Sequence, residues 1–225
     1  MREHISFSEL KTWNECAYKH KLSYIDEVKK FIGNEYTAFG KAIHDTCEQS
    51  LIAEGAVNQN FFDKKFIKEI EELVESGLDL NSKLLKDMRQ QAPEILKHVL
   101  PELKNHFESY EVISTEEKIY EPMKEVDYNF KGFIDLVIKT PDGMYHVIDW
   151  KTCSWGWDSR RKADSMTTYQ LVLYKHFFAI KHNIDPKNIV THFALLKRTA
   201  KKNRVEIFKV TSGAKKTENC LKLMH

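Results

Sequence analysis

The segments GFIDLVIK (132–139), PDG (141–143) and HVIDWK (146–151) decide how this chain reads. Two apolar runs flank a Pro-Asp-Gly turn, in which proline presets φ and glycine accepts positive φ, so the stretch predicts a β-hairpin. Each arm carries an aspartate where burial alone would not choose one: Asp135 lies between Ile134 and Leu136, and Asp149 between Ile148 and Trp150. Residues two apart on a strand share a face, which puts Asp149 and Lys151 on one side and Trp150 on the other. The hairpin brings Asp135 close to both. Carboxylates held together repel and demand a cation, and a hard divalent ion with oxygen ligands meets that demand. A lysine beside them can orient or deprotonate a water, or balance charge in the transition state. The plainer reading, edge aspartates salt-bridged to a surface lysine, fits poorly with apolar neighbours on both sides of each carboxylate.

Outward from the hairpin, the first half of the chain reads as helical and acidic. Ser6 followed by Glu9 forms a capping box ahead of Leu10, Trp13, Ala17 and Leu22, which predicts an opening helix with an aromatic-rich buried face. Phe39, Ile43, Cys47 and Leu51 recur every fourth residue, predicting a helix over about 37–54 with Gly55 as its stop. A third helix is expected over 60–76, ending at Gly77. A fourth spans 81–108, where Pro93 and Pro101 should break or kink it. From Glu111 the period shortens to two. Val112, Ile113, Ile119 and Tyr120, then Val126, Tyr128 and Phe130, read as strands before the hairpin. After the loop CSWGWDSRRKADS the pattern predicts an amphipathic helix over 165–182, strands over 189–196 and 204–210, and a short terminal helix. The economical reading is one α/β domain over 1–225, with a mainly helical part over 1–110 and an α/β core over 111–225.

Composition narrows the class. The 225 residues are 42% hydrophobic and 30% charged, enough for a sizeable core. No apolar run reaches the roughly 18 residues of a membrane span, and MREHISFSEL lacks the apolar centre of a secretion signal. Cys16, Cys47, Cys153 and Cys220 form no CxxC pair, so free thiols in a reducing cytoplasm are expected. The net charge of +2 conceals an asymmetry: residues 1–150 carry 19 Lys and Arg against 28 Asp and Glu, and residues 151–225 carry 16 against 5. A polyanion partner for the C-terminal third explains that split, and so does a solvated lysine-rich face. Trp155 and Trp157 beside Arg160 and Arg161 have the composition of a single-strand-binding element, rings for bases and cations for phosphates, although loop aromatics also plug cores. The basic run 197–204, with Lys197, Arg198, Lys201 and Lys202, lies between two strands and suits contact with a nucleic-acid backbone.

Asp135 followed after 14 positions by Asp149-Trp150-Lys151 resembles the D…(D/E)xK signature of the PD-(D/E)xK nuclease superfamily, and in particular its RecB-like branch. FGKAIHDTCE (39–48) resembles the helical GxxxHxxxE motif of that branch, TTYQLVLYKH (167–176) its QxxxY motif, and SFSELKTWNEC (6–16) its opening helix. The four stand in the family's order. The resemblance implies a restriction-endonuclease-like core, a mixed central β-sheet flanked by helices, with a helical N-terminal elaboration. It implies that His44, Asp135, Asp149 and the Trp150 carbonyl hold Mg²⁺ or Mn²⁺. It also implies that Lys151 acts on the attacking water, and that Gln170 and Tyr174 contact the lysine or the scissile strand. Taken alone, His44 would more often be a hydrogen-bonded core histidine, and Glu48 fits either a contact to metal-bound water or an ordinary surface position. Some members of the branch carry an iron–sulfur cluster on one N-terminal and three C-terminal cysteines. Here only Cys220 follows Tyr174, so no cluster is expected. The implied activity is a metal-dependent deoxyribonuclease, most simply an exonuclease on single-stranded or frayed DNA ends in recombination, repair or phage DNA metabolism, with a protein partner in such a complex. A structure-specific endonuclease and a non-catalytic nucleic-acid-binding subunit are the rivals.

Overall fold

The computed structural model describes residues 3–28, 32–53, 58–124 and 126–224. Its centre is a mixed sheet. The strands are β1 (His4–Ser6), β2 (Glu111–Pro122), β3 (Asn129–Lys139), β4 (Tyr145–Cys153), β5 (Ile189–Lys197) and β6 (Val205–Val210). Around them lie helices α1 (Phe7–Glu15), α2 (Ala17–His20), α3 (Glu35–Ile52), α4 (Gln59–Glu75), α5 (Ser82–Phe107), α6 (Ser159–Ala163), α7 (Ser165–His182) and α8 (Ala214–Leu221). The strands run in the order β1-β3-β4-β5-β6, with β2 also paired to β3. β3 and β4 form the expected antiparallel hairpin, turned at Gly143 with φ +85°. β4 and β5 are parallel, which is what α7 as a crossover requires.

Two apolar layers cover the sheet. On one face α3, α4 and α5 pack Phe39, Phe62, Phe66, Met88 and Ile95 against Leu136, Ile148 and Trp150. On the other, α7 and α8 pack Phe177, Phe178 and Cys220 against Phe130, Val137, Val147 and Phe193. The Phe130 and Phe177 rings stack with centroids 4.4 Å apart. This is the mixed sheet flanked by helices that the motifs implied. Among the described residues no helix is long and apolar enough to cross a membrane.

Several local expectations are corrected. α5 runs unbroken through Pro93 and Pro101. Each proline leaves one carbonyl without its helical donor, at Arg89 and at Lys97, and both of those residues are exposed, where water can serve. Seven buried residues on the inner face, from Met88 to Phe107, each contribute about 1.5–3 kcal/mol if apolar and large, which outweighs about 3 kcal/mol per proline. α3 begins two residues early because Asn34 caps it, accepting from the Tyr36 and Thr37 N–H groups. The Gly55 stop lies outside the described residues. In α1 the Ser6 Oγ accepts from the Glu9 N–H as expected, but Trp13 is half-exposed and the helix ends at Glu15. The strand expected around Val126 starts only at Asn129.

Candidate active site

The site forms where β3 and β4 part. One edge of β3 is paired along its whole length with β2. The other edge pairs with β4 only from Leu136 to Lys139, and with β1 from Asn129 to Lys131. Residues 132–135 therefore have no strand beside them on that edge, and side chains take over the orphaned backbone groups. Asp135 Oδ2 accepts from the Trp150 N–H at 2.7 Å. The Phe133 N–H interacts with the Tyr174 hydroxyl.

Asp149 and Lys151 do share a face of β4, with Nζ 2.7 Å from Asp149 Oδ2, while Trp150 is buried in the opposite layer. Asp149 Oδ1 accepts from Gln170 Nε2 at 2.8 Å, and the same amide nitrogen reaches the Tyr174 hydroxyl at 3.0 Å. α3 lies across the gap and presents His44, whose Nδ1 stands 3.6 Å from Asp135 Oδ1. Four elements, α3, β3, β4 and α7, thus place the six sequence-selected residues His44, Asp135, Asp149, Lys151, Gln170 and Tyr174 around one opening.

The two carboxylates are electrically unequal. Asp149 is 2% exposed, and burial pushes its pKa up to about 6 against the pull of Lys151. Burial works the same way on Asp135, but His44, Lys151 and the Trp150 N–H outweigh it and hold that carboxyl below its ordinary value. Burial alone would lower the His44 pKa, yet Asp135 and Asp149 raise it. Burial raises the Tyr174 hydroxyl, which stays neutral and serves as a hydrogen-bond anchor.

A family model for the PD-(D/E)XK nuclease superfamily matches residues 4–219. The chain belongs to that superfamily. It is a nuclease, and its mixed sheet with flanking helices is that of the family. Among solved structures, a protein from Eubacterium rectale described as "Putative exonuclease" is 13% identical, with a TM-score of 0.62, over 98% of this chain and 77% of that one. A second, SSO0001, is 12% identical with a TM-score of 0.45, over 100% of this chain and 74% of that one. No curated protein matches.

The nuclease offers donor chemistry suited to a divalent ion. Asp149 Oδ2 is buried and makes no hydrogen bond of acceptable angle despite the nearby ammonium, and Asp135 Oδ1 has His44 only at 3.6 Å. Each carboxylate thus keeps one oxygen for a ligand, hard donors that suit Mg²⁺ or Mn²⁺. Among the described residues no three His, Cys, Asp or Glu side chains stand as a ready-made cage. Glu48 turns its carboxylate to the Thr115 hydroxyl at 2.9 Å.

The expected nucleic-acid contacts divide. Trp155 is 78% exposed and free to stack, and Arg160, Lys201 and Lys202 are also exposed. Trp157 is not a stacking residue: it is 8% exposed, edge-on to Phe193 at 5.1 Å, with Arg161 packed over its ring at 4.5 Å. Phe193 in turn lies under the Lys151 ammonium at 5.8 Å. Trp157 therefore buttresses the aromatic floor on which the lysine rests. Lys197 is buried and paired with Glu206, and Arg198 is buried beside Gln91, so neither is a loop cation in solvent. Both sit at the end of β5, Arg198 against α5 and Lys197 beside Gly156 and Glu206, a placement that the basic run could not reveal. Trp157→Ala should lower stability by about 3–5 kcal/mol in urea unfolding. It should also weaken binding of single-stranded and duplex DNA alike, whereas Trp155→Ala should leave stability unchanged. A Trp157→Ala protein as stable as wild type would return Trp157 to the substrate surface.

Gly132 escaped the sequence reading. A Cβ there would come within 2.7 Å of Tyr174 Cε1, so the glycine opens the slot in which Tyr174 reaches the β3 edge and anchors Gln170. Its place three residues before Asp135 was the available signal.

Proposed function

We propose that this nuclease hydrolyses DNA phosphodiester bonds at single-stranded or frayed ends with the help of Mg²⁺ or Mn²⁺. The observation that carries the reading is the cluster of Asp135, Asp149 and Lys151 in the split between β3 and β4, with His44 and Gln170 closing on it from two helices. Asp135, Asp149, His44 and the Trp150 carbonyl would hold the ion, which when bound supplies Lewis acidity at the scissile phosphate and a lower pKa for the attacking water. Lys151 orients that water and offsets the charge developing on the phosphate. Gln170, braced by Tyr174, fixes the rotamer of Asp149. Residues 1–225 act as one nuclease domain, and the helical 1–110 part walls one side of the site. No iron–sulfur cluster is expected, because only Cys220 follows Tyr174 where the cluster-bearing members of the branch place three cysteines.

The exonuclease assignment draws support from the description of the E. rectale protein and from exposed Trp155 beside Arg160. Work in recombination, repair or phage DNA metabolism inside the cell, alongside a protein partner, is consistent with that substrate. A structure-specific endonuclease would use the same residues. End-labelled single-stranded, duplex and covalently closed circular DNA, incubated with Mg²⁺, Mn²⁺ or EDTA, separates the two. Linear single strands should be degraded fastest, circles should survive, and EDTA should stop all cleavage. Efficient cutting of closed circles would establish the endonuclease, and cleavage in EDTA would remove the metal.

A further inference from the structure

Arg198 poses a problem that the catalytic cluster does not solve. Its side chain is 9% exposed, donates to Gln91 Oε1 at 2.9 Å, and has no carboxylate partner among the described residues. The neighbouring cations are compensated: Lys197 and Lys162 both pair with Glu206. A buried guanidinium without a counter-charge is costly, and an anion brought by a ligand would offset that cost. Beside it stands Tyr36, whose ring is 55% exposed and lies 5.7 Å from the guanidinium carbon.

Both residues adjoin the catalytic opening. The Arg198 N–H donates to the Cys153 carbonyl at 2.8 Å, two residues beyond Lys151. Tyr36, Gly40 and His44 follow one another at intervals of four along one face of α3, and a Cβ on Gly40 would lie 3.2 Å from Thr152 Oγ1 on β4. Eight helical residues separate Tyr36 from His44 by about 12 Å, or three to four nucleotides at about 3.4 Å per step.

We infer that Tyr36 and Arg198 form a nucleotide-binding step outside the cleavage point, where the ring stacks on an unpaired base and the guanidinium takes an adjoining phosphate. This rests on the nuclease reading and extends its substrate contact to a residue that sequence patterning did not mark. The choice of single-stranded nucleic acid follows from the chemistry: an exposed aromatic face suits any unpaired base, while a duplex hides its base faces.

The test is fluorescence anisotropy of a labelled 12-nucleotide single strand and a blunt duplex, measured with the full chain in EDTA so that nothing is cleaved. Tyr36→Ala should raise Kd for the single strand about ten- to hundredfold with little change for the duplex. Tyr36→Trp should restore binding, and its added indole should be quenched when the strand binds. Arg198→Gln should reduce the slope of log K against log salt by about 0.7. Unchanged single-strand affinity in Tyr36→Ala, equal loss on both substrates, or an unquenched Tyr36→Trp would each overturn the step while leaving the catalytic assignment intact. Wild-type protein that binds no single strand at all would overturn the proposed substrate as well.

Discussion

Lys151→Ala should lose cleavage by a factor on the order of 10³ or more while the protein stays folded, and Asp149→Asn and Asp135→Asn should do the same. Lys151 is the only ammonium within contact of Asp149 among the described residues, at 2.7 Å, so nothing nearby replaces it. Asp149→Asn keeps the shape of the side chain and the Oδ1 that accepts from Gln170, and it removes only the charge. Buried Asp149 and half-buried Asp135 repel each other, so in EDTA the Asn variant should unfold in urea no earlier than wild type. That pairing of lost activity with retained stability distinguishes a catalytic cluster from a structural ion pair. Any of the three variants cutting DNA at near the wild-type rate would refute the site, and a large stability loss in Asp149→Asn would make the pair structural.

The second large effect is acid sensitivity centred on the opposite face of the sheet from that cluster, at the residue paired with Ile148. His192 on β5 is buried against Phe107 and His106 of α5, its Nε2 meets His146 Nδ1 of β4 at 3.0 Å, and Lys209 is its partner on β6. Burial, reinforced by His146, His106 and Lys209, depresses its pKa from 6.5 to about 3. The fold therefore favours the neutral ring, and the unfolded chain binds the extra proton between those values. Stability is fully present above about pH 6.5 and is lost as pH falls toward 3. At about 1.4 kcal/mol per pH unit the full loss approaches 5 kcal/mol. His146, also lowered by burial although Asp142 opposes it, adds to the same trend. Urea midpoints measured from pH 7 to pH 4 should fall steeply for wild type and much less for His192→Phe, which keeps an aromatic ring in the same apolar surroundings. An equal slope in the two proteins would place the acid sensitivity elsewhere.

The amino-acid sequence by itself determined whatever depends on near neighbours along the chain. Alternation and a Pro-Asp-Gly turn defined the β3–β4 hairpin, four-residue spacing defined the inner face of α3, and α7 fell on the residues that its pattern marked. The two aspartates and the lysine of the candidate site were legible because a charge within an apolar strand is unusual wherever the strand ends up. Tertiary structure decided what depends on segments distant in sequence. The helical reading failed at Pro93 and Pro101 because burial of the opposite face of α5 outweighs two missing hydrogen bonds. Trp157 and Arg198 carried the composition of a nucleic-acid loop, yet Phe193 and Phe208 enclose the first, and Gln91 and Tyr36 meet the second. The parting of β3 from β4 likewise has no local signature. It arises because β1, more than 120 residues earlier, takes the β3 edge at Asn129–Lys131, and because Asp135 accepts the Trp150 N–H that the gap exposes. Periodicity records which face of an element is apolar, whereas the side chain that a given residue meets is fixed only when the layers close.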